Sequence, residues 1–334
     1  MKSPITGSEM KIKNEIIPLS FRKDDFKVNS LFYHCAESGE QFTSDELDRI
    51  NLLQVHNQYR DKYNLPFTEE IKTIRNKYGL SAIKMSEVLG FGVNSYRNYE
   101  NGEMPSISNG RIIQLVNDPI KFLSVVEMSE IFDAKQKDEL ISLIDALIND
   151  EKKKFREYAV QSYLIEDSLP DIFTGYVKPN IEKLTEMVVY FAQKLTPFKT
   201  KLNKLLFYAD FLSFRSSCFS MSGVKYRAIQ LGPVPNNFNS LFEFIAKQNH
   251  IDIIQYDFGD DRVGDKFVAH PDRTFNSELF TEYEINILKD VEAKFKDSSS
   301  SIIVEFSHNE KGWIENIESK SLISYNYAFD ISQI

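Results

Sequence analysis

Two hydrophobic periods run along this chain and divide it. Over residues 1–44 the apolar positions come in short extended pieces such as KIKNEIIPL and SLFYHC, separated by polar turns, and Pro18 weighs against a helix, so strands are expected. Their expected core is Ile12, Ile16, Leu19, Phe26, Leu31 and Phe32. From Thr43-Ser44-Asp45-Glu46 onward the spacing turns helical through Leu47, Ile50, Leu53, Val55 and Tyr59. Thr43 or Ser44 can cap that helix, which should end near Asn64, ahead of Leu65-Pro66.

A run of short helices follows. Thr68-Glu69-Glu70 opens one, with Ile71, Ile74 and Tyr78 on one face and Gly79 as its stop. Ser81 opens another, AIKMSEVLG, and Gly90-Phe91-Gly92 then turns the chain into VNSYRNYENG. Two more helices are expected around 108–116 and 119–128, and a charged, periodic stretch over 133–160 reads as a helical connector. Within it, Lys152-Lys153-Lys154 reads as a solvated helix face.

The last part starts near Ile181. Its most apolar segment, KLNKLLFYADFLSF (201–214), is apolar on nearly all sides, the mark of a central buried helix. A strand is expected over 225–231, and the prolines of Gly232-Pro233-Val234-Pro235 should exclude regular structure before the helix SLFEFIAKQ. Turn-rich strands at 251–270 and helices from Glu282 to Ile317, broken at Ser298–Ser301, complete the pattern. The fold class is therefore α+β multidomain, mostly α. It consists of a small β-rich ribbon plus helix (1–64), a five-helix domain (65–128), a helical connector (129–180) and a helical domain with a small sheet (181–334).

Charge changes which partners each part can take. The net charge is −9, but residues 1–128 are close to neutral and residues 129–334 hold 24 Lys/Arg against 32 Asp/Glu, a net −8. A nucleic-acid role belongs to the N-terminal part, because phosphate attraction needs local positive charge. No run of 18 apolar residues exists and no apolar leader is visible, so a cytoplasmic protein without membrane contact is expected. Cys35 and Cys218 are far apart and suggest no disulfide framework.

The stretch GFGVNSYRNYENG (90–102) carries the sharpest signal. Two helices joined by a tight glycine turn can present the second to the DNA major groove. Val93, Tyr96 and Tyr99 would form its buried side, leaving Asn94, Arg97 and Asn98 outward with Ser95 near the start. Asn can bond adenine at N6 and N7 together, and Arg can bond guanine at O6 and N7. On spacing alone a short polar surface helix explains the stretch equally well. Residues 66–128 resemble helix-turn-helix domains of the Xre/Cro superfamily, and the match is closer to antitoxins of the MqsA type, whose turn and recognition helix read GGGVNAFSRYEKG. The resemblance implies operator DNA as a partner, with Asn94 reading a base; the family's second reading position, an Arg, falls on Asn98, and Arg97 stands one residue earlier.

The same family carries two Cys-x-x-Cys pairs in a zinc domain ahead of the DNA-binding one. They align with Ser3-Pro4-Ile5-Thr6 and Cys35-Ala36-Glu37-Ser38, so three of four thiolates are hydroxyls, poor ligands for structural zinc. The expectation is a zinc-ribbon scaffold that folds with no metal and no cofactor.

Residues 183–318 resemble the Panacea domain, a domain of unknown function found in SocA- and GepA-like proteins. The carrying pieces are KLNKLLFYADFL (201–212), YRAIQLGPVPNNF (226–238) and FSHNEKGWIE (306–315). This implies neutralisation of a toxin by direct binding. Tyr208, Phe211, Pro233 and Trp313 read most simply as core or turn residues. Asp210, inside the apolar helix, needs a partner, for which Arg215 and Arg227 are candidates. His308 with Glu310 is a conceivable acid–base pair, but no nucleophile, metal cluster or phosphate loop accompanies it, so no catalytic residue is expected. The sequence points to a dimeric antitoxin that also represses from a palindromic operator; the alternative is a helix-turn-helix regulator that senses a ligand and has no toxin partner.

Overall fold

The alternation at the N-terminus folds as a hairpin. The computed structural model describes residues 1–259 and 263–334, with residues 151–158 described at the backbone alone. Strands β1 (Lys11–Phe21) and β2 (Asp24–His34) are joined by Arg22-Lys23, both at positive φ, the turn geometry whose twist suits a two-residue hairpin. Strand β3 (Gln41–Phe42) extends the sheet in the order β1-β2-β3.

Helix α1 (Asp45–Tyr63) follows, with Ser44 Oγ accepting from the Leu47 amide. Its Asn51 and Gln54 amides act as a substitute strand. Asn51 both accepts from and donates to the Leu31 backbone, at 2.8 and 3.1 Å, and Gln54 does the same with Asn29. Phe26, Leu31 and Phe32 are buried as expected, but Ile12 and Ile16 are exposed at 54% and 65%. They lie on the edge strand β1, which among the described residues has no neighbour beyond it.

Contacts divide the chain into two units: residues 1–20, 25–54 and 161–334 in one, residues 21–24 and 55–160 in the other. The second unit holds α2 (Thr68–Lys77), α3 (Ala82–Val88), α4 (Ser95–Glu100), α5 (Ile107–Leu115), α6 (Pro119–Met128) and α7 (Ala134–Leu164) through residue 160. Side-chain caps start most of them. Ser81 accepts from Lys84, Ser106 from Asn109, and Asp118 from Ile120 with Pro119 in the first turn. Ile71, Ile74, Tyr78, Met85, Ile113, Phe122 and Val126 form one core with Leu140 and Ile144 of α7. Of the apolar residues in α6, Phe122 and Val126 are core, while Ile120 is exposed. The solvated face expected for Lys152-Lys153-Lys154 lies outside the residues whose side chains are described.

The first unit continues with α8 (Ile181–Leu195) and α9 (Lys199–Ser217). Every residue of α9 from Lys201 to Phe214 is buried, so the all-round apolar pattern does mark a central helix. Strands β4 (Tyr226–Ile229) and β5 (Gly232–Pro235) then form a hairpin, where the prolines were expected to exclude regular structure. The reason is position: in the order β5-β4-β8, β5 is an edge strand, where missing amide donors are tolerated.

Helix α10 (Phe238–Lys247), the hairpin of β6 (Ile251–Asp257) and β7 (Val263–Ala269), and helices α11 (Glu282–Phe295), α12 (Ser300–His308) and α13 (Lys311–Ile314) lead to β8 (Leu322–Ile323), which pairs with β4. The protein is thus α+β and mostly helical, as its periodicity indicates. No helix of the described residues is long and apolar enough to cross a membrane.

Candidate functional site

Helix α4 is held from beneath by side chains with defined partners. Ser86 Oγ of α3 accepts from the Tyr96 amide at 3.0 Å, tying the start of the second helix to the first. The fully buried Tyr96 hydroxyl donates to the Ile71 carbonyl at 2.8 Å, and burial raises its pKa. Tyr99 accepts from Asn109 Nδ2, and Arg75 takes both oxygens of Glu100 while also donating to the Leu80 carbonyl. Gly90, at φ 68, makes the turn that a side chain would strain.

With Tyr96 and Tyr99 inward, Asn94, Arg97 and Asn98 are exposed and Ser95 is half-buried. Arg97 Nη2 donates to Asn94 Oδ1 at 3.0 Å. Val93 is a correction: expected on the buried side, it is 59% exposed. It precedes the helix, so the 3.6-residue period that places Tyr96 and Tyr99 does not extend back to it.

At the N-terminus the structure brings together the four positions that align with zinc ligands. Cys35 Sγ and Thr6 Oγ1 lie 3.3 Å apart. Ser3 Oγ accepts from the amides of Ile5 and Thr6, Thr6 Oγ1 from Ser8, and Ser38 Oγ from Glu40. Gly7 and Gly39 close the two turns at φ 75 and 73. Hydrogen bonds from the Ser38 hydroxyl first, then from Thr6, the Ser38 backbone and Ser3, bring the buried Cys35 thiol down to about 6. The donor set does not fit a zinc ion, since one sulfur and three hydroxyls supply one ionisable ligand. The hydrogen bonds account for the arrangement instead. No group of three or more His, Cys, Asp or Glu side chains among the described residues is placed to hold a metal.

In the C-terminal part Asp210, Arg215, Arg227 and Glu310 have partners that sequence reasoning missed. Asp210 meets neither Arg215 nor Arg227. Its carboxylate accepts from the Met221 and Ser222 amides at 2.8 Å, from Ser222 Oγ at 2.6 Å and from the Tyr226 hydroxyl at 2.8 Å. Burial raises its pKa against the pull of these donors. Arg227 turns instead to Asn236 and the Lys320 carbonyl, and Arg215 to the carbonyls of Ile331 and Ile334. Two of the four donors to Asp210 are backbone amides of a loop, which residue types do not reveal.

His308 and Glu310 are separately engaged. Glu310 is buried and accepts from Tyr208 and from the Ser332 and Gln333 amides. The His308 ring stacks on Trp313 at 3.9 Å, and burial followed by Lys204 lowers its pKa. Lys204 itself is fully buried, donates to the Pro233 carbonyl at 2.9 Å, and is pushed down to about 7 by burial. Beside them a groove of about 460 Å³ runs between Thr200, Leu231, Val304 and His308.

The pieces 201–212, 226–238 and 306–315 thus meet in one core, through Tyr208 with Glu310, Asp210 with Tyr226, and Trp313 Nε1 with the Ile229 carbonyl. No curated protein matches the chain. Residues 202–314, about a third of it, match the family described as Antitoxin SocA-like, Panacea domain, and that part of the chain is similar to the domain of those antitoxins.

Proposed function

We propose that this chain is an antitoxin that neutralises a partner toxin by binding it through the Panacea-like part and controls its own expression by binding operator DNA through α3 and α4. The observation that carries the reading is the match over 202–314, whose motif residues form a single shared core. A toxin–antitoxin role follows from that similarity. Direct binding fits a core in which Asp210, Glu310 and Lys204 are committed to structural hydrogen bonds, with no assembled nucleophile and base among the described residues. The net −8 of residues 129–334 supports a basic partner, such as a protein acting on RNA or nucleotides, and would speed encounter.

DNA binding is supported by the outward Asn94, Arg97 and Asn98 on a helix fixed by Tyr96 and Tyr99, read as a helix-turn-helix. The near-neutral charge of residues 1–128 implies modest affinity per copy, so a homodimer on a palindromic operator is part of the proposal. A ligand-sensing regulator is the second reading, favoured by the groove beside His308.

The test is a toxicity rescue. The protein from the adjacent reading frame is expressed alone, with the full chain, and with full chain carrying Asn94→Ala. Growth arrest relieved by both chains supports an antitoxin with a separate regulatory helix. A toxic neighbour that neither chain relieves favours the ligand-sensing regulator.

A further inference from the structure

Much of the family resemblance is internal: Tyr208, Phe211 and Tyr226 have no exposed surface, and Leu231 and Ile314 are the large apolar motif residues that are exposed, at 55% and 54%. A larger exposed apolar set lies on the surface of the Panacea-like part outside the motifs. One place there gathers large apolar side chains at the surface. Ile254, Tyr256 and Phe258 are 49%, 52% and 49% exposed, all on or just after β6. Single exposed apolar residues are ordinary, but a contiguous set is the signature of an interaction surface.

The rings are preorganised. Tyr256 and Phe258 centroids are 5.0 Å apart, and Phe198 lies 6.0 and 5.1 Å from them. Gly264, opposite Tyr256 on β7, makes this possible, because a Cβ there would come within 2.8 Å of the Phe258 ring. Rigid aromatic anchors lose little freedom on binding and dominate interface energies.

Among the described residues the strand beneath is open. The sheet has two strands, and β7 uses its outer edge against residues 197–198, with the Phe267 amide donating to the Pro197 carbonyl. The His270 amide donates to the His250 carbonyl, which sets the register: residues 252, 254 and 256 bond to β7, and the backbone groups of Ile253 and Gln255 face the free edge. Residues 251–259 carry Asp252 and Asp257, both exposed, against one basic neighbour on the facing strand, Lys266 opposite Ile254.

We propose that the free edge and aromatic face of β6, formed by Ile254, Tyr256 and Phe258 with Phe198, are where the partner toxin docks, adding an extended apolar segment flanked by Lys or Arg. The proposal rests on the antitoxin reading above. Backbone bonds to Ile253 and Gln255 supply affinity that does not depend on the partner's sequence, and the rings and the two carboxylates select it.

The test uses the full chain and the purified protein from the adjacent reading frame, with titration calorimetry as readout. Two variants act through different features: Tyr256→Ala/Phe258→Ala removes the rings, and Gln255→Pro removes an outward amide that the hairpin itself does not use. Both should weaken binding roughly tenfold or more. The first also melts earlier through its lost contacts to Phe198, and cooperative melts of both variants show that they remain folded at the assay temperature. Wild-type affinity in both variants overturns the proposal. Loss of self-association on a sizing column with unchanged toxin affinity also overturns it, making the face an interface between copies. If the wild-type chain fails to bind the neighbour at all, the antitoxin reading falls, and the docking proposal with it.

Discussion

Arg97 Nη2 donates to Asn94 Oδ1 at 3.0 Å on the outer side of α4, so the two exposed side chains form one polar unit rather than two independent ones. The amide oxygen has two lone pairs, and one stays available to accept from a base. Asn94→Ala should abolish sequence discrimination, a loss of about 1–3 kcal/mol at the base it reads, while salt-sensitive non-specific binding persists. Arg97→Ala should cost less in the Asn94→Ala background than alone, since the pair is already broken. Fluorescence anisotropy on duplexes selected by this chain from random sequence measures both. Undiminished discrimination by Asn94→Ala would remove α4 from the reading role.

Val93 stands beside that pair with 59% of its surface exposed. An apolar side chain at the entrance to a helix proposed to face the DNA groove suits a thymine C5-methyl group. Val93→Ser, or uracil in place of thymine at the matching position of the selected duplex, should weaken binding by about 1 kcal/mol, and the two changes together should not add. Additive losses in the cycle would place Val93 away from the methyl group.

The Ser3, Thr6, Cys35 and Ser38 cluster makes a prediction about metal. With Ser3 and Thr6 already accepting amide hydrogen bonds within their turns, the fold needs no ion to hold them. Chelator treatment should leave the melting temperature unchanged. The triple variant Ser3→Cys/Thr6→Cys/Ser38→Cys should bind one zinc per chain and become chelator-sensitive, because four thiolates then meet where the turns already converge. A wild-type chain that melts earlier after chelation would contradict this account.

Local signals were the legible part of the fold. Ser44 and Ser81 cap helices where the residue pattern turns helical, and the apolar 201–214 segment lies in the buried α9. What the residue pattern hides is long-range. Ile12 and Ile16 fit a strand's alternation, yet whether an edge strand is covered depends on elements far away in sequence. Pro233 and Pro235 break a central strand but not an edge one, and sheet order is invisible locally. Asp210 drew attention as a carboxylate in an apolar helix; two of its four donors are backbone amides, which have no side-chain identity to read, and the Ser222 and Tyr226 hydroxyls come from beyond the helix. At the proposed DNA-facing helix the inward tyrosines were legible from spacing, and the Asn94–Arg97 bond was not.

Asp210 makes the core sensitive to loss of one carboxylate. Its removal leaves the Met221 and Ser222 amides and the Ser222 and Tyr226 hydroxyls without their acceptor in a fully buried site. Asp210→Ala should destabilise the chain by about 3–5 kcal/mol, within the range for breaking a buried charged network. Urea denaturation is the measurement, and a change under about 1 kcal/mol would show that the loop rearranges to satisfy itself.

Lys204 gives the same core a pH dependence of definite sign. Burial lowers its pKa from 10.5 to about 7, so between those values the unfolded chain holds a proton that the folded chain has released. Stability therefore rises with pH through that window, by up to ~1.4 kcal/mol per pH unit, and the group contributes no slope below it, where both states are charged. Other groups titrate in the same range, but Lys204→Met leaves them in place, so the difference between wild type and variant isolates Lys204. The variant loses the bond to the Pro233 carbonyl and gains relief from a buried ammonium. It should accordingly be more stable than wild type near pH 7 and lose that advantage by pH 10. Urea midpoints taken at pH 7, 8, 9 and 10 decide the matter, and parallel pH profiles for the two chains would mean that Lys204 reaches solvent in its charged form.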